Sequence, residues 1–183
     1  MRSKIKIQIR AIVHTKEGRI FKTYPWKNAN SLIKAFIQLL AAQMLQVSQS
    51  VLDTSNTPQA CAGYALNLSA VADVNITTRG IVIGSGITSV TMTDYKLETQ
   101  ITTNVTHSPM VIALENPNTS TWRIALSRIL TNNTGGVLSI KEVGLYVCGR
   151  SSIYNFCAER TLYSVDVPDT YPITFQYRIT ITL

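Results

Sequence analysis

Residues 173–183, ITFQYRITITL, decide the fold. Ile173, Phe175, Tyr177, Ile179 and Ile181 alternate with Thr174, Gln176, Arg178 and Thr180, and a period of two marks a strand with one face toward a core. The other end of the chain repeats the pattern. In residues 4–13, Ile5, Ile7, Ile9, Ala11 and Val13 share one face, and Lys4, Lys6, Gln8 and Arg10 share the other. Lys16-Glu17-Gly18 turns the chain, and residues 20–24 return as a hairpin partner. Between these ends, residues 64–70, 80–83, 105–115, 121–130 and 137–147 read as strands. Glu115-Asn116-Pro117-Asn118-Thr119-Ser120 and Asn132-Asn133-Thr134-Gly135-Gly136 read as turns. Short strands with turn signals between them predict a mainly β chain, an antiparallel β-sandwich of jelly-roll-like type. Residues 46–63, polar and holding Pro58 and Gly63, read as a loop. With no internal repeat and no linker, residues 1–183 read as a single domain, long enough for one well-buried core.

One segment departs from the period of two. Pro25 ends the hairpin, and Asn28, Asn30 and Ser31 offer N-caps to a helix over about 31–46. From Leu32 to Leu45 only Lys34, Gln38 and Gln43 are strongly polar, so the apolar stripe widens almost around the helix. Such a helix is expected to be buried on nearly all sides, either against its own sheet or between copies of the chain. Ile33, Phe36, Ile37, Leu40 and Met44 are the residues expected at such an assembly interface.

Charge points the same way. Only 15% of residues are charged, and charge is depleted at the centres of interfaces. The net charge of +7 is uneven: residues 1–34 hold nine Lys/Arg against Glu17 alone, which leaves the rest of the chain at −1. The hairpin is expected to gather Lys4, Lys6, Arg10, Arg19 and Lys22 into a basic patch. Nucleic acid, membrane head groups or an acidic protein could meet it. Without interleaved aromatics or a nucleic-acid motif, a protein partner or a solvated face is favoured over nucleic acid. Residues 32–45 are too short to span a bilayer, and residues 2–10 alternate charge with isoleucine where a signal peptide needs an apolar run.

Chemistry is scarce. Gly84-Ser85-Gly86 follows the apolar run Ile81-Val82-Ile83, as in a dinucleotide-binding loop, but a third glycine and a following helix are missing. The β-favouring residues 87–91 leave a glycine turn between β segments as the reading, with no cofactor. Cys61, Cys148 and Cys157 lack metal-site spacing and, with only His14 and His107 beside them, predict free thiols and no metal. Asp94 and Glu98, or Asp166 and Asp169 around Pro168, are the only carboxylate pairs to consider. Asp94 and the Pro168 turn read as backbone-capping features. No catalytic residue, small-molecule substrate or enzyme activity is expected.

The motifs carry a resemblance. Gly80-Ile81-Val82-Ile83-Gly84-Ser85-Gly86, then Asp94-Tyr95-Lys96-Leu97, resembles a "GIVVGTG" strand and "DY-L" turn recurrent in structural proteins of tailed bacteriophages. Leu130-Thr131-Asn132-Asn133-Thr134-Gly135-Gly136, followed by Ile140-Lys141-Glu142-Val143-Gly144-Leu145-Tyr146, is similar to that family's "TNNSG…EVGLY" hairpin. Cys157-Ala158-Glu159-Arg160-Thr161-Leu162 stands where such proteins often read "ARDVL", with Glu before Arg as a departure. The resemblance implies a virion structural protein of tail, baseplate or head decoration, made in the host cytoplasm. It implies partners that are other copies and other virion proteins.

Overall fold

The computed structural model describes residues 4–29, 31–63, 67–149 and 153–182. In chain order the first strands are β1 (Lys4–His14), β2 (Ile20–Thr23), β3 (Lys27–Asn28) and β4 (Ser31–Leu32), and α1 (Lys34–Leu45) follows. Next come β5 (Gln49–Leu52), β6 (Pro58–Cys61), β7 (Gly80–Gly84), β8 (Val105–His107) and β9 (Val111–Asn118). The longest strands close the chain: β10 (Thr121–Asn132), β11 (Leu138–Gly149), β12 (Tyr154–Val167) and β13 (Pro172–Thr182).

Among the described residues, seven strands form a large antiparallel sheet in the order β2-β1-β13-β10-β8, with β3 also on β1 and β9 also on β10. A smaller sheet runs β4-β12-β11-β7, and β5 pairs with β6. The chain is thus a mainly β sandwich with one helix. The alternation of the two terminal strands has a direct outcome: they pair with each other, from Lys4 opposite Thr182 to Val13 opposite Ile173. Their apolar sides meet the small sheet, and Ile9, Ala11, Val13, Phe175, Tyr177, Ile81, Ile83, Val143 and Phe156 are buried in one core.

The small sheet is covered on both sides. Its outer face packs Val82, Tyr146 and Cys157 against Ile33 and Leu97, so β7 is buried at every position. Strands buried on both faces read as apolar runs without alternation.

Several sequence expectations are corrected here. The helix starts at Lys34, and its N-cap is Ile33, with no side-chain cap bond. Asn28 and Ser31 lie in β3 and β4, because the chain pairs with β1 and then β12 before it can coil; Asn30 lies outside the described residues. The helix is not buried on nearly all sides. Ala35, Leu39 and Ala42 form its buried face, and Ile37 and Met44 on the opposite face are 54% and 75% exposed. The supposed loop 46–63 holds the hairpin β5–β6. Of the strand expected over 64–70, the described residues supply only a bridge from Ser69 to Cys148; residues 64–66 lie outside them. The expected strand 105–115 is two strands, β8 and β9, broken around Pro109, which has no N–H for a ladder. The hairpin expected to turn over 115–120 stays paired to Asn118 and turns at Thr119-Ser120.

Candidate functional site

Four of the quoted segments, GIVIGSG, DYKL, KEVGLY and CAERTL, meet at one point on the outer face of the small sheet. Glu142, fully buried in β11, turns its carboxylate toward the segment after β7. Gly86 N–H and Thr99 N–H donate to its Oε1 at 3.1 and 2.8 Å. Glu98 N–H and Arg160 Nε donate to its Oε2 at 3.1 and 2.7 Å. The glycine loop therefore cradles an anion, and the anion is the protein's own carboxylate.

This explains the glycines, which carry no positive φ here. A Cβ on Gly84 would stand 2.5 Å from Glu142 Oε1 and 2.6 Å from the Thr99 carbonyl, and one on Gly86 would stand 2.4 Å from Glu98 Cβ. Close approach, and not a turn, requires them. Gly144 is open for a similar reason: a Cβ would meet Leu97 Cδ2 at 2.9 Å and the Glu159 carbonyl at 3.1 Å.

Arg160 completes the network. Its Nη1 reaches Asp94 Oδ2 at 2.8 Å, and its Nη2 reaches the Thr88 carbonyl at 3.2 Å and Glu98 Oε2 at 3.7 Å. Burial pushes the Asp94 carboxyl up, but bonds from Thr91 and Arg160 outweigh it and hold Asp94 below its ordinary value. Asp94 and Glu98 are thus brought together by a guanidinium across turns, not by a helix. Leu97 N–H donates to Tyr146 Oη at 2.6 Å, so the DYKL and KEVGLY segments lock together. The donors named above meet protein acceptors, and the arrangement holds a long loop onto a sheet.

Two further buried groups escaped the sequence reading. Arg128 occupies a core-facing position of β10, in step with Leu126 and Leu130, and is 1% exposed. Its guanidinium donates to five backbone carbonyls: Ser108, Arg79, Ile81, Asp73 and Ile76, at 2.6 to 3.2 Å. All five donors of an arginine are thereby used, and burial lowers its pKa to about 10. The signal was a charge in an apolar register. Glu159, the departure in the fourth motif, lies inside the core and accepts bonds from Thr161 and from Tyr177 Oη.

Glu159 and His107 set a pH dependence. Burial raises Glu159 from 4.5 to about 7, so its contribution is fully present below pH 4.5 and is lost as pH rises through 7. Burial, with the Arg128 charge beside it, lowers His107 from 6.5 to about 4, so its contribution is present above pH 6.5 and is lost as pH falls through 4. Between pH 4.5 and 6.5 the two slopes oppose each other. Urea unfolding should therefore find the wild type nearly flat across this window. Glu159→Gln should lose stability on acidification from pH 6.5 to 4.5, and His107→Asn should gain it. Parallel slopes for all three proteins would refute the assignment.

The remaining candidates divide between two surfaces. The expected basic patch is split: Lys6 and Arg10 lie on the outer face of β1, whereas Lys22 is opposite Val13 and so shares the inner face. Arg19 and Lys22 are exposed; the side chain of Lys4 lies outside the described residues. Arg10 is stacked 4.6 Å from the Trp26 ring and bonds Gln176 at 2.6 Å, and Arg178 lies 4.1 Å from the same ring.

Of the expected interface residues, Ile33 is fully buried within the chain and has no surface to offer a partner. Phe36 and Leu40 are half-buried, and Ile37 and Met44 are exposed. A second apolar surface was not anticipated. The inner face of the large sheet continues past the small sheet, where Ile5, Ile181 and Trp122 lie side by side across β1, β13 and β10. The next row runs Ile7, Ile179, Ile124 and Leu114. Ile5, Leu114 and Trp122 are 70%, 69% and 49% exposed.

The three cysteines are buried. Among the described residues no helix is long and apolar enough to cross a membrane, and no cluster of His, Cys, Asp and Glu is arranged to hold a metal ion. Comparison with family models, with curated proteins and with solved structures gives no match.

Proposed function

We propose that the chain is a structural component of a tailed-bacteriophage virion, a tail, baseplate or head-decoration subunit that works through protein–protein assembly. One observation carries this reading: at one end of the large sheet the inner face is apolar and, among the described residues, exposed at Ile5, Ile181, Trp122, Ile124 and Leu114. On a sandwich that face is core, and an exposed apolar patch of several hundred Å² marks an interaction site. The motif resemblance supplies the virion context. The converging motifs fix a loop and expose no reactive group, so the role assigned is mechanical, without catalysis or a bound cofactor. Mass spectrometry of purified particles tests the proposal: the chain should be present at a fixed copy number, and its absence overturns the reading.

A second reading has its own observation. Trp26, stacked against Arg10 and Arg178, stands beside a cleft of about 380 Å³ lined by Tyr24, Trp26, Lys27 and Tyr163. Aromatic faces among cations suit a polyanion such as nucleic acid or a host-surface polymer. Binding of that kind weakens steeply with salt, whereas apolar assembly persists. Titration with a fluorescent oligonucleotide at low and high salt separates the two.

A further inference from the structure

We infer that the outer face of the large sheet binds a single strand of nucleic acid, with phosphates along a diagonal of arginines and a base in the Trp26 cleft. The inference rests on the polyanion reading above and names the polymer and the residues that hold it.

The strand register builds the diagonal. Arg10 in β1 is opposite Gln176, Arg178 in β13 is opposite Gln8 and Ala125, and Arg123 in β10 is opposite Thr180. Each arginine is therefore one strand over and two residues along from the last, a diagonal-neighbour spacing of about 7–8 Å. Alternation places all three on one face, and Lys6 shares the row of Thr180 and Arg123. Glu115, bonded to Arg123 at 3.2 Å, is the one carboxylate in the described strands of this sheet.

The chain leaves these cations short of anions. The Arg178 guanidinium has the Trp26 ring at 4.1 Å and, among the described residues, no ion pair. Arg123 Nε is buried and, among the described residues, has no hydrogen-bond partner. Burial, and after it the charges of Arg123 and Arg10, hold the Arg178 pKa below its ordinary value. Cations that repel one another in this way gain from a shared anion, and guanidinium forks match phosphate oxygens.

The aromatic surface comes from another element. Trp26, in the link between β2 and β3, contacts Arg10 and Arg178 and also lines the cleft with Tyr24 and Tyr163. One ring thus joins the arginine diagonal to the cleft. At about 380 Å³ the cleft is at the small end of ligand pockets. Beside the tyrosines its polar lining is Lys27 and Ser164, with no carboxylate or amide side chain. Sugar hydroxyls call for such acceptors, whereas a base needs only an aromatic face on which to stack. A single strand can splay a base into the cleft, and a duplex keeps its bases paired inside.

The test is fluorescence anisotropy of the full chain with a fluorescein-labelled oligothymidine of about 12 nucleotides, within single-strand site sizes. Affinity should fall with salt at a log–log slope of about −2, from three phosphates at about −0.7 each. Arg178→Gln should weaken binding and flatten that slope by about 0.7. Trp26→Leu should weaken binding roughly 5- to 150-fold at every salt concentration, the range for one stacked base, and leave the slope unchanged. In a Trp122→Phe background Trp26 is the sole tryptophan, and the oligonucleotide should quench its emission; this readout serves if Trp26→Leu unfolds. Unquenched emission on binding, full affinity in a folded Trp26→Leu, or equal affinity for a duplex overturns the inference. Heparin bound without the oligonucleotide overturns this inference alone and leaves the polyanion reading standing. A chain that binds neither at low salt overturns both.

Discussion

Arg128→Ala should lower the unfolding free energy by about 3–5 kcal/mol, the severe end for a single substitution and the scale expected when several buried acceptors lose their donor. The size follows from what the side chain holds. Five carbonyls, from residues 73, 76, 79, 81 and 108, converge on one guanidinium. Without it they remain in the interior as unsatisfied acceptors, each costly to leave unpaired. Arg128→Lys should recover little, because an ammonium has three donors on a flexible stem and no planar fork. Urea denaturation measures the loss, and hydrogen exchange locates it. Amides over residues 73–81 should lose protection first, and a uniform loss across the sandwich would contradict the role assigned to Arg128.

Arg160→Ala is expected to be about as severe, roughly 3–5 kcal/mol, since it leaves Glu142 buried without its cation. The pair should also be strongly coupled. In a double-mutant cycle with Glu142→Gln and Arg160→Met, the double variant should be more stable than the sum of the singles implies, by at least about 1 kcal/mol. Additive effects in urea unfolding would mean that the carboxylate and the guanidinium act independently. Because the network fastens residues 86–99 to the small sheet, both singles should raise proteolytic cleavage within that loop.

These two arginines also show where the sequence was legible. The terminal strands alternate cleanly because only one side of the large sheet faces a core, and their pairing in register follows. The 14-residue β12 went unseen as a strand because residues 156–161 are all buried, with a register shift near Cys157. Burial on two faces erases the alternation by which a strand is recognised. The β5–β6 hairpin was hidden by polarity. Asp53 organises it, accepting from Ser55, Thr57 and Gln59 at 2.8 to 2.9 Å, and that local bonding reads as loop chemistry. The glycine loop cradles Glu142, which stands 56 residues from Gly86. No spacing rule reaches that far. Of the helix face expected to assemble, Ile37 and Met44 are exposed and Ile33 is interior. The sheet face was missed because one alternating stripe passes from covered to uncovered without any change in residue type.

The strand order has a consequence for how the protein is made. β13 lies between β1 and β10 in the middle of the large sheet, so during translation β1 has no neighbour on that side until residue 182 leaves the ribosome. At 5–20 residues per second the wait is roughly 10 to 40 s. Throughout it, Ile5 and Ile7 line one face of a nascent strand whose early partners, β2 and β3, pair only within residues 8–14. Such long-range closure is slow and leaves an apolar strand available to neighbouring nascent chains. Expression at reduced temperature, or with a trigger-type chaperone that holds the first 14 residues, should raise soluble yield more than any substitution in the finished fold.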